Sequence, residues 1–264
     1  MDLGISTACF YPLPIEQGIE KIAELGFRQI EIFVNTESEF SKEYIAGLRR
    51  QTSALGLTVV SVHPYTSAIE GLLLFTEYAR RTQDALSMYH RYFEQAASLG
   101  ARYMTFHGER AVSLNGMKSQ TGQHKIEIYG RLCDLAKQYD MVLAQENVAW
   151  CKSRDPAYLR ELHDKVPDLG FTLDLKQARR ADTPWEDYLD AVEGKLVNLH
   201  INDYNAEQTC LLPGRGVVDY AALFRALQQA GYHRQAILEV YSGDYTDYKE
   251  LKESGAYLKK FLPL

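Results

Sequence analysis

The chain alternates short apolar runs with segments of helical period from one end to the other. Each helical segment has one apolar face, as the spacing of Ile15, Ile19 and Ile22 indicates for the first. Short apolar runs separated by amphipathic helices are typical of parallel strands in an α/β protein, because the helices cover the sheet. Eight strands are predicted, at Leu3–Ser6, Gln29–Phe33, Thr58–Val62, Tyr103–Phe106, Val142–Glu146, Gly170–Asp174, Leu196–Ile201 and Ala236–Val240.

Eight β/α units within 264 residues favour a closed (β/α)8 TIM barrel. An open doubly wound sheet is the alternative, although the first strand is not followed by the Gly-rich turn that binds phosphate in such sheets. No linker interrupts the alternation, so residues 1–264 are predicted to form a single domain. Helix starts are predicted at Pro14, Pro156 and Pro184, with Asp155 and Thr183 as N-caps.

Charge and composition narrow the classes of partner. A formal net charge of -6 without a long basic run argues against nucleic acid and against an anionic membrane surface. No apolar span approaches the roughly 18 residues of a membrane helix, and the start of the chain lacks a secretory pattern. Four cysteines without C-x-x-C pairing argue against a zinc knot or a disulfide framework. We expect a cytoplasmic protein with a small-molecule partner, and homo-oligomerisation stays open.

Metal-ligating residue types lie at the ends of six predicted strands. In a TIM barrel these ends meet at the active site. A single residue of this kind is often a solvated loop residue or a packing residue, but six together favour a shared site. Three carboxylates meeting there would repel one another unless a cation lay among them. The six residues are His63, His107, Glu146, Asp174, His200 and Glu239, of which the last four are predicted to hold one divalent metal.

Three carboxylates and one imidazole form a mainly hard ligand set. Such a set suits Mn²⁺, which we prefer, and also Mg²⁺, Co²⁺ or Zn²⁺. Open positions on the metal would let a substrate carbonyl and its neighbouring hydroxyl chelate. The metal would then stabilise the negative charge that develops on oxygen when an adjacent C–H proton leaves.

These residues resemble the sugar isomerase/epimerase superfamily with the xylose isomerase-like barrel, along nearly the whole chain. That superfamily includes ketose 3-epimerases, hydroxypyruvate isomerase, inosose dehydratases and endonuclease IV. The resemblance implies that Glu146 and Glu239 are an acid/base pair as well as metal ligands. It also implies that His63 and His107 lie beside the metal, and that the loop containing Arg215 runs along the substrate cleft.

The sequence also departs from the family. The D-x-x-H motif of strand six reads Asp174-Leu175-Lys176-Gln177, so Gln177 replaces the substrate-binding histidine and can hydrogen-bond but not titrate. Endonuclease IV requires that histidine and a further Asp-x-His, where this chain has Gln208-Thr209-Cys210, which argues against a nuclease. Substrate-binding positions of some ketose epimerases hold Lys152 and Ala206 here, so the identity of the sugar stays open.

Weaker signals surround the predicted site. Tyr241 follows strand eight and is predicted to contact the substrate. The apolar run Leu72–Phe75, in an insertion after strand three, is expected to cap the pocket or form a dimer contact. A second insertion spans 109–123. Basic residues after strands five to seven are interpreted either as an anion-binding group or as ordinary solvated residues: Lys152, Arg154, Lys176, Arg179, Arg180 and Arg215.

Three functions follow from this reading. The first is a metal-dependent isomerase or epimerase that moves a proton beside the chelated carbonyl of a small sugar, keto-sugar or polyol through an enediolate. The second is a dehydratase that uses the same enediolate to expel a hydroxyl from an inosose-like substrate. The third is a non-catalytic barrel that binds a sugar or a partner protein.

Overall fold

A computed structural model describes residues 1–111 and 122–262. Eight parallel strands close into one barrel in chain order, with β1 hydrogen-bonded to both β2 and β8. The predicted (β/α)8 barrel is confirmed, and each predicted strand agrees with the observed one to within two residues. The strands are β1 (Asp2–Ser6), β2 (Gln29–Phe33), β3 (Thr58–His63), β4 (Tyr103–Phe106), β5 (Val142–Glu146), β6 (Gly170–Asp174), β7 (Leu196–Ile201) and β8 (Gln235–Leu238).

Helices surround the barrel. Asp155 caps the sixth helix by accepting a hydrogen bond from Ala157 N, with Pro156 as the first helical residue, as predicted. The predicted cap at Thr183 is wrong, because its hydroxyl donates to Ala181 O instead. In the described part of the chain the α-helices are α1 (Ile15–Leu25), α2 (Lys42–Ala54), α3 (Glu70–Leu73), α4 (Ala79–Ser98), α5 (Gly122–Lys137), α6 (Pro156–Lys165), α7 (Leu175–Arg180), α8 (Trp185–Ala191), α9 (Tyr220–Gln229) and α10 (Tyr248–Leu258). None of these is long and apolar enough to cross a membrane.

The main core lies between the outer face of the barrel and the helices. Side chains alternate along each strand, so every second strand residue packs outward. Phe106 at the end of β4 is fully buried, with its ring centroid 5.7 Å from those of Tyr89 and Tyr129. Burial of such a ring contributes about 1.5–3 kcal/mol. This packing fixes the end of β4, and the next residue along the chain, His107, points the other way.

The insertion after β3 joins the core. Leu74 and Phe75 are buried, and the ring of Phe75 lies 5.6 Å from that of Tyr129 and 6.4 Å from that of Phe106. The expectation that Leu72–Phe75 forms a lid or a dimer contact is therefore wrong for these two residues, which have no exposed face to offer. Residues 112–121 of the second insertion lie outside the described part of the chain.

Candidate metal centre

Strand alternation brings all six predicted strand-end residues to one end of the barrel, where they are buried. The four predicted metal ligands lie together around the ring of His200. His200 Nδ1 lies 2.7 Å from Glu239 Oε2, 3.6 Å from Glu146 Oε1 and 3.7 Å from Asp174 Oδ2. Side chains from β5, β6 and β7 and from the residue after β8 therefore converge on one point.

Each of these four side chains has a buried polar atom that makes no hydrogen bond within the described residues. A buried polar atom left without a hydrogen bond costs about 1–3 kcal/mol, more when it is charged. Imidazole nitrogens lie within ion-pair distance of Glu146 and Glu239, and Lys176 Nζ lies 3.4 Å from Asp174 Oδ2. Convergent oxygens and a ring nitrogen without hydrogen bonds are what a cation would coordinate, so the donor set fits a divalent metal. The four atoms are Glu146 Oε2, Asp174 Oδ2, His200 Nδ1 and Glu239 Oε2.

Glu31 of β2 lies directly beneath this cluster. It is fully buried, and its Oε2 is 3.1 Å from His200 Nε2. The same oxygen accepts hydrogen bonds from Ser61 Oγ at 2.7 Å and from Asn198 Nδ2 at 3.1 Å. A carboxylate on one ring nitrogen keeps the proton there, as with the outer partners of metal-binding histidines. In the neutral ring Nδ1 then has a free lone pair for a metal ion. Without a metal, burial lowers the pKa of His200, but Glu31 and Glu239 raise it well above its usual value.

Glu31 was not among the predicted site residues, because it lies in the middle of β2 and the prediction was confined to residues near the carboxyl end of each strand. A signal was present, since a charged residue interrupts the apolar strand Gln29–Phe33. Ser61, Thr105 and Asn198 each lie two residues before a histidine at the site, and with Glu31 they form a polar layer one step below it. Charged residues in the middle of a buried strand require such partners.

Burial and charge act in opposite directions on these groups. Burial raises the pKa of Glu146, but the rings of His107, His200 and His63 lower it well below its usual range. Burial also raises the pKa of Glu239, yet Lys176 and His200 hold it below the ordinary value. Both carboxylates are therefore ionised at neutral pH.

Two further histidines lie beside Glu146. His63 Nδ1 is 3.1 Å from Pro64 O, to which it donates, so His63 Nε2 is an acceptor in the neutral ring. His107 Nε2 lies 3.0 Å from that nitrogen and 2.8 Å from Glu146 Oε2. These three side chains are also close enough to share an ion.

A cavity of about 330 Å³ opens onto the cluster, a size suited to a small molecule. Its inner part is polar, and Tyr11, Trp150 and Tyr241 form an exposed aromatic rim. Of the predicted substrate-binding residues, His63, His107, Gln177 and Tyr241 line it. The full lining is Ala8, Tyr11, Phe33, Asn35, His63, His107, Glu146, Trp150, Lys176, Gln177, Glu239 and Tyr241. Phe33, Asn35 and Trp150 also line the cavity, although no contact with substrate was predicted for them.

Arg215 is not brought to this cavity. Its guanidinium pairs with Glu250 in α10, and it is exposed. Lys152, from the loop after β5, pairs with Glu109 at 2.6 Å and does not line the cavity. Lys176 differs from both, because it is buried with Nζ 3.2 Å from Glu239 Oε1 and 3.4 Å from Asp174 Oδ2. The interpretation of Lys176 as a solvated loop residue is therefore wrong.

The chain resembles proteins of known fold along nearly its whole length. Fructoselysine 3-epimerase of Shigella flexneri is 27% identical over 253 residues, which cover 91% of this chain and 90% of the relative. The structure of D-psicose 3-epimerase from Clostridium cellulolyticum H10 superposes with a TM-score of 0.84 at 16% identity, over 100% of both chains. The IOLI protein, solved with a bound zinc atom, gives a TM-score of 0.79 at 15% identity over 100% of both chains.

The two structural comparisons show a shared fold, and the family comparison goes further. The family described as xylose isomerase-like TIM barrel matches residues 19–261, which include every residue of the candidate metal-binding cluster. This chain belongs to the xylose isomerase-like TIM barrel family.

Proposed function

We propose that this protein is a divalent-metal-dependent isomerase or epimerase of a small sugar or keto-sugar. One observation carries the proposal: four buried ligand atoms that make no hydrogen bonds to the described part of the chain converge beside a cavity of small-molecule size. A relative that is 27% identical and named as a sugar epimerase supports the same class of reaction.

In this proposal Glu146, Asp174, His200 and Glu239 hold one divalent ion, with Mn²⁺ preferred because oxygen ligands dominate the set. When bound, the ion polarises the substrate carbonyl and stabilises the charge that develops on oxygen. Glu31 keeps His200 in the tautomer with a free Nδ1. A small neutral or weakly acidic substrate suits a cavity in which polar groups lie deep and aromatic groups form the rim.

Glu146 and Glu239 carry the proton in this mechanism. Both are ionised, so either one can accept the proton from the carbon beside the carbonyl. The other, once it has taken up a proton from solvent, delivers that proton to the substrate, and the first releases its proton to solvent to complete the cycle. Delivery to the opposite face of the same carbon inverts its configuration. Delivery to the neighbouring carbon moves the carbonyl, provided that the hydroxyl proton passes between the two substrate oxygens. His63, Gln177 and Tyr241 are proposed to hold the substrate hydroxyls, because all three line the cavity.

Exchange of solvent deuterium tests the proposal. The Mn²⁺-loaded protein should incorporate deuterium into the C–H beside the carbonyl of an accepted ketose, followed by NMR across a panel of ketoses. E146Q and E239Q should each slow exchange by about 10²–10⁴-fold, the usual contribution of a general acid or base. E24Q is a matched control, because Glu24 is exposed and pairs with Lys21 on the surface.

The outcomes separate the candidate functions. Retention of both metal and full exchange by E146Q and E239Q would exclude the acid/base assignment. An ultraviolet-absorbing enone or diketone product would identify a dehydratase instead. A protein that binds no divalent metal and exchanges no ketose would contradict the proposed function as a whole.

A further inference from the structure

Lys176 is the only lysine or arginine that lines the cavity formed by the described residues. Its side chain is 3% exposed, and burying an ammonium costs several kcal/mol unless it is paired. The motif of the family does not predict a cation here, since this position lies between the aspartate and the final residue of D-x-x-H. A buried cation at the edge of a small-molecule cavity calls for a specific role.

The start of α7 explains how Lys176 reaches the site. Asp174 caps this helix through Oδ1, which accepts a hydrogen bond from Gln177 N at 2.9 Å. The cap places Lys176 in the first turn, directly above the end of β6. Its Nζ lies 3.2 Å from Glu239 Oε1 and 4.9 Å from the centre of the Tyr241 ring. The ammonium thus lies between the proposed metal ligands and the aromatic rim.

The hydrogen-bonding capacity of Lys176 is only partly used. An ammonium has three N–H donors. Within the described chain one donates to Glu239 Oε1, and Asp174 Oδ2 lies 3.4 Å away as an ion-pair partner. The ammonium also lies over the face of the Tyr241 ring. Among the described residues, no further oxygen accepts a hydrogen bond from it. At least one N–H is therefore available to a ligand oxygen in the cavity.

Charge balance gives this donor a function. Glu31, Glu146, Asp174 and Glu239 are four buried carboxyl groups around the site. With all four ionised, one divalent ion would neutralise only two of their charges. The remaining negative charge of these carboxylates would repel the negative charge that develops on a substrate oxygen. A fixed cation at the cavity wall offsets this effect, in the way that preorganised donors stabilise oxyanions.

We propose that Lys176 donates a hydrogen bond to the substrate oxygen that faces Asp174 and Glu239, and stabilises the negative charge that develops on it. This inference rests on the proposed isomerase or epimerase function. It assigns to the site a selectivity for α-hydroxy-carbonyl compounds whose reactive oxygen becomes anionic. Lys176 is then a catalytic residue in contact with substrate, and its pairing with Glu239 and Asp174 orients it for that contact.

The test compares K176M with wild type, because Met fills a similar volume without charge or donor. Three quantities are measured: the affinity for Mn²⁺, the affinity of the Mn²⁺-loaded protein for glycolohydroxamate, and the rate of ketose exchange. Glycolohydroxamate is the probe because its anion resembles an enediolate. We expect Mn²⁺ to bind K176M as tightly as wild type or more tightly, since a competing cation is gone. Hydroxamate affinity should fall at least tenfold, and kcat by about 10²-fold, the usual loss when one oxyanion donor is removed.

Two further variants complete the design. K137M is the matched control, because Lys137 is exposed and pairs with Asp168 outside the cavity. K176A is the second variant in case K176M does not fold, and added ethylammonium should restore part of its activity by supplying the missing ammonium.

The outcomes distinguish the two proposals. Unchanged hydroxamate affinity and kcat in K176M would overturn the role of Lys176 while wild-type exchange still supports the proposed function. Loss of Mn²⁺ affinity in K176M in parallel with activity, or no rescue of K176A, would show that Lys176 only supports the ligands. A wild-type protein that binds Mn²⁺ but neither binds hydroxamate nor exchanges any ketose would contradict the proposed function itself.

Discussion

Replacement of Glu31 by Gln tests whether the layer below the site tunes the proposed metal ligand. Glu31 accepts hydrogen bonds from Ser61, Asn198 and His200 through one oxygen. Gln keeps the shape and can keep these bonds, but removes the charge. We expect a weaker affinity for Mn²⁺, because His200 loses the carboxylate that makes its free nitrogen electron-rich.

The expected size follows from the hydrogen bond to His200. Bonds to charged groups contribute about 1.5–3 kcal/mol and neutral ones about 0.5–1.5 kcal/mol, so losing the charge costs about 1–1.5 kcal/mol. Since 1.4 kcal/mol corresponds to tenfold, Mn²⁺ affinity should fall about tenfold. This estimate lies at the lower end of the roughly 10–100-fold range measured when such outer partners are mutated.

The assay is a competition titration of Mn²⁺ against a fluorescent chelator, with circular dichroism to confirm that the variant is folded. E24Q serves as the control, because Glu24 lies on the surface in α1. Equal Mn²⁺ affinity for E31Q, E24Q and wild type would refute the idea that Glu31 acts through His200. An affinity lost altogether would instead indicate that Glu31 is itself a ligand.

Three other measurements test the packing and the charges inside the barrel. Glu70 accepts hydrogen bonds from the backbone N–H of His107 at 3.0 Å and of the following residue at 2.8 Å. E70Q should therefore lower the free energy of unfolding, measured by urea titration, by about 2 kcal/mol. An unchanged urea midpoint would contradict this. Burial lowers the pKa of His200, but Glu31 and Glu239 raise it well above its usual value, so the metal-free fold holds a proton that the unfolded chain releases above about pH 6.5. This proton should therefore contribute its full stabilisation to chelator-treated protein below about pH 6.5. As pH rises through the folded pKa, the free energy of unfolding should fall by up to about 1.4 kcal/mol per pH unit. A free energy of unfolding that does not change with pH in urea titrations would exclude this proton. All four cysteines are buried, and burial raises the pKa of Cys9 to about 12, so iodoacetamide at about pH 8 should label them only after denaturation; labelling of the native protein would contradict their burial.

The barrel was predictable because its signals are local. Each strand is a short apolar run, and each helix carries its own periodicity, so the strand boundaries could be placed without knowledge of tertiary contacts. The residues at the strand ends were predictable for a geometric reason, since a closed parallel barrel gathers these ends at one mouth. The positions of the strands and the geometry of the barrel were sufficient to predict the four proposed metal ligands.

Contacts made by residues in loops could not be predicted from the sequence. Phe75 was expected to cap the pocket or form a dimer contact because its apolar run lies in an insertion, but it packs on Tyr129 and joins the core. Glu70 in the same insertion accepts hydrogen bonds from the backbone after β4, which ties the segment down. Arg215 was placed near the substrate by resemblance, whereas it pairs with Glu250 in α10. No local pattern reports such long-range contacts.

Asp174 has two roles, one as the N-cap of α7 and one as a proposed metal ligand. Its Oδ1 accepts the hydrogen bond of an N-cap, an ordinary structural role for aspartate at the start of a helix. Because the cap uses only Oδ1, Oδ2 is left without a hydrogen bond and faces His200. The same cap starts α7 at the mouth of the barrel and so carries Lys176 over the site, with Nζ 3.4 Å from Oδ2. The position of the cation is thus a consequence of how the helix begins. Under the proposed mechanism, we expect a substitution at residue 176 to change the chemistry of the site while the barrel stays folded.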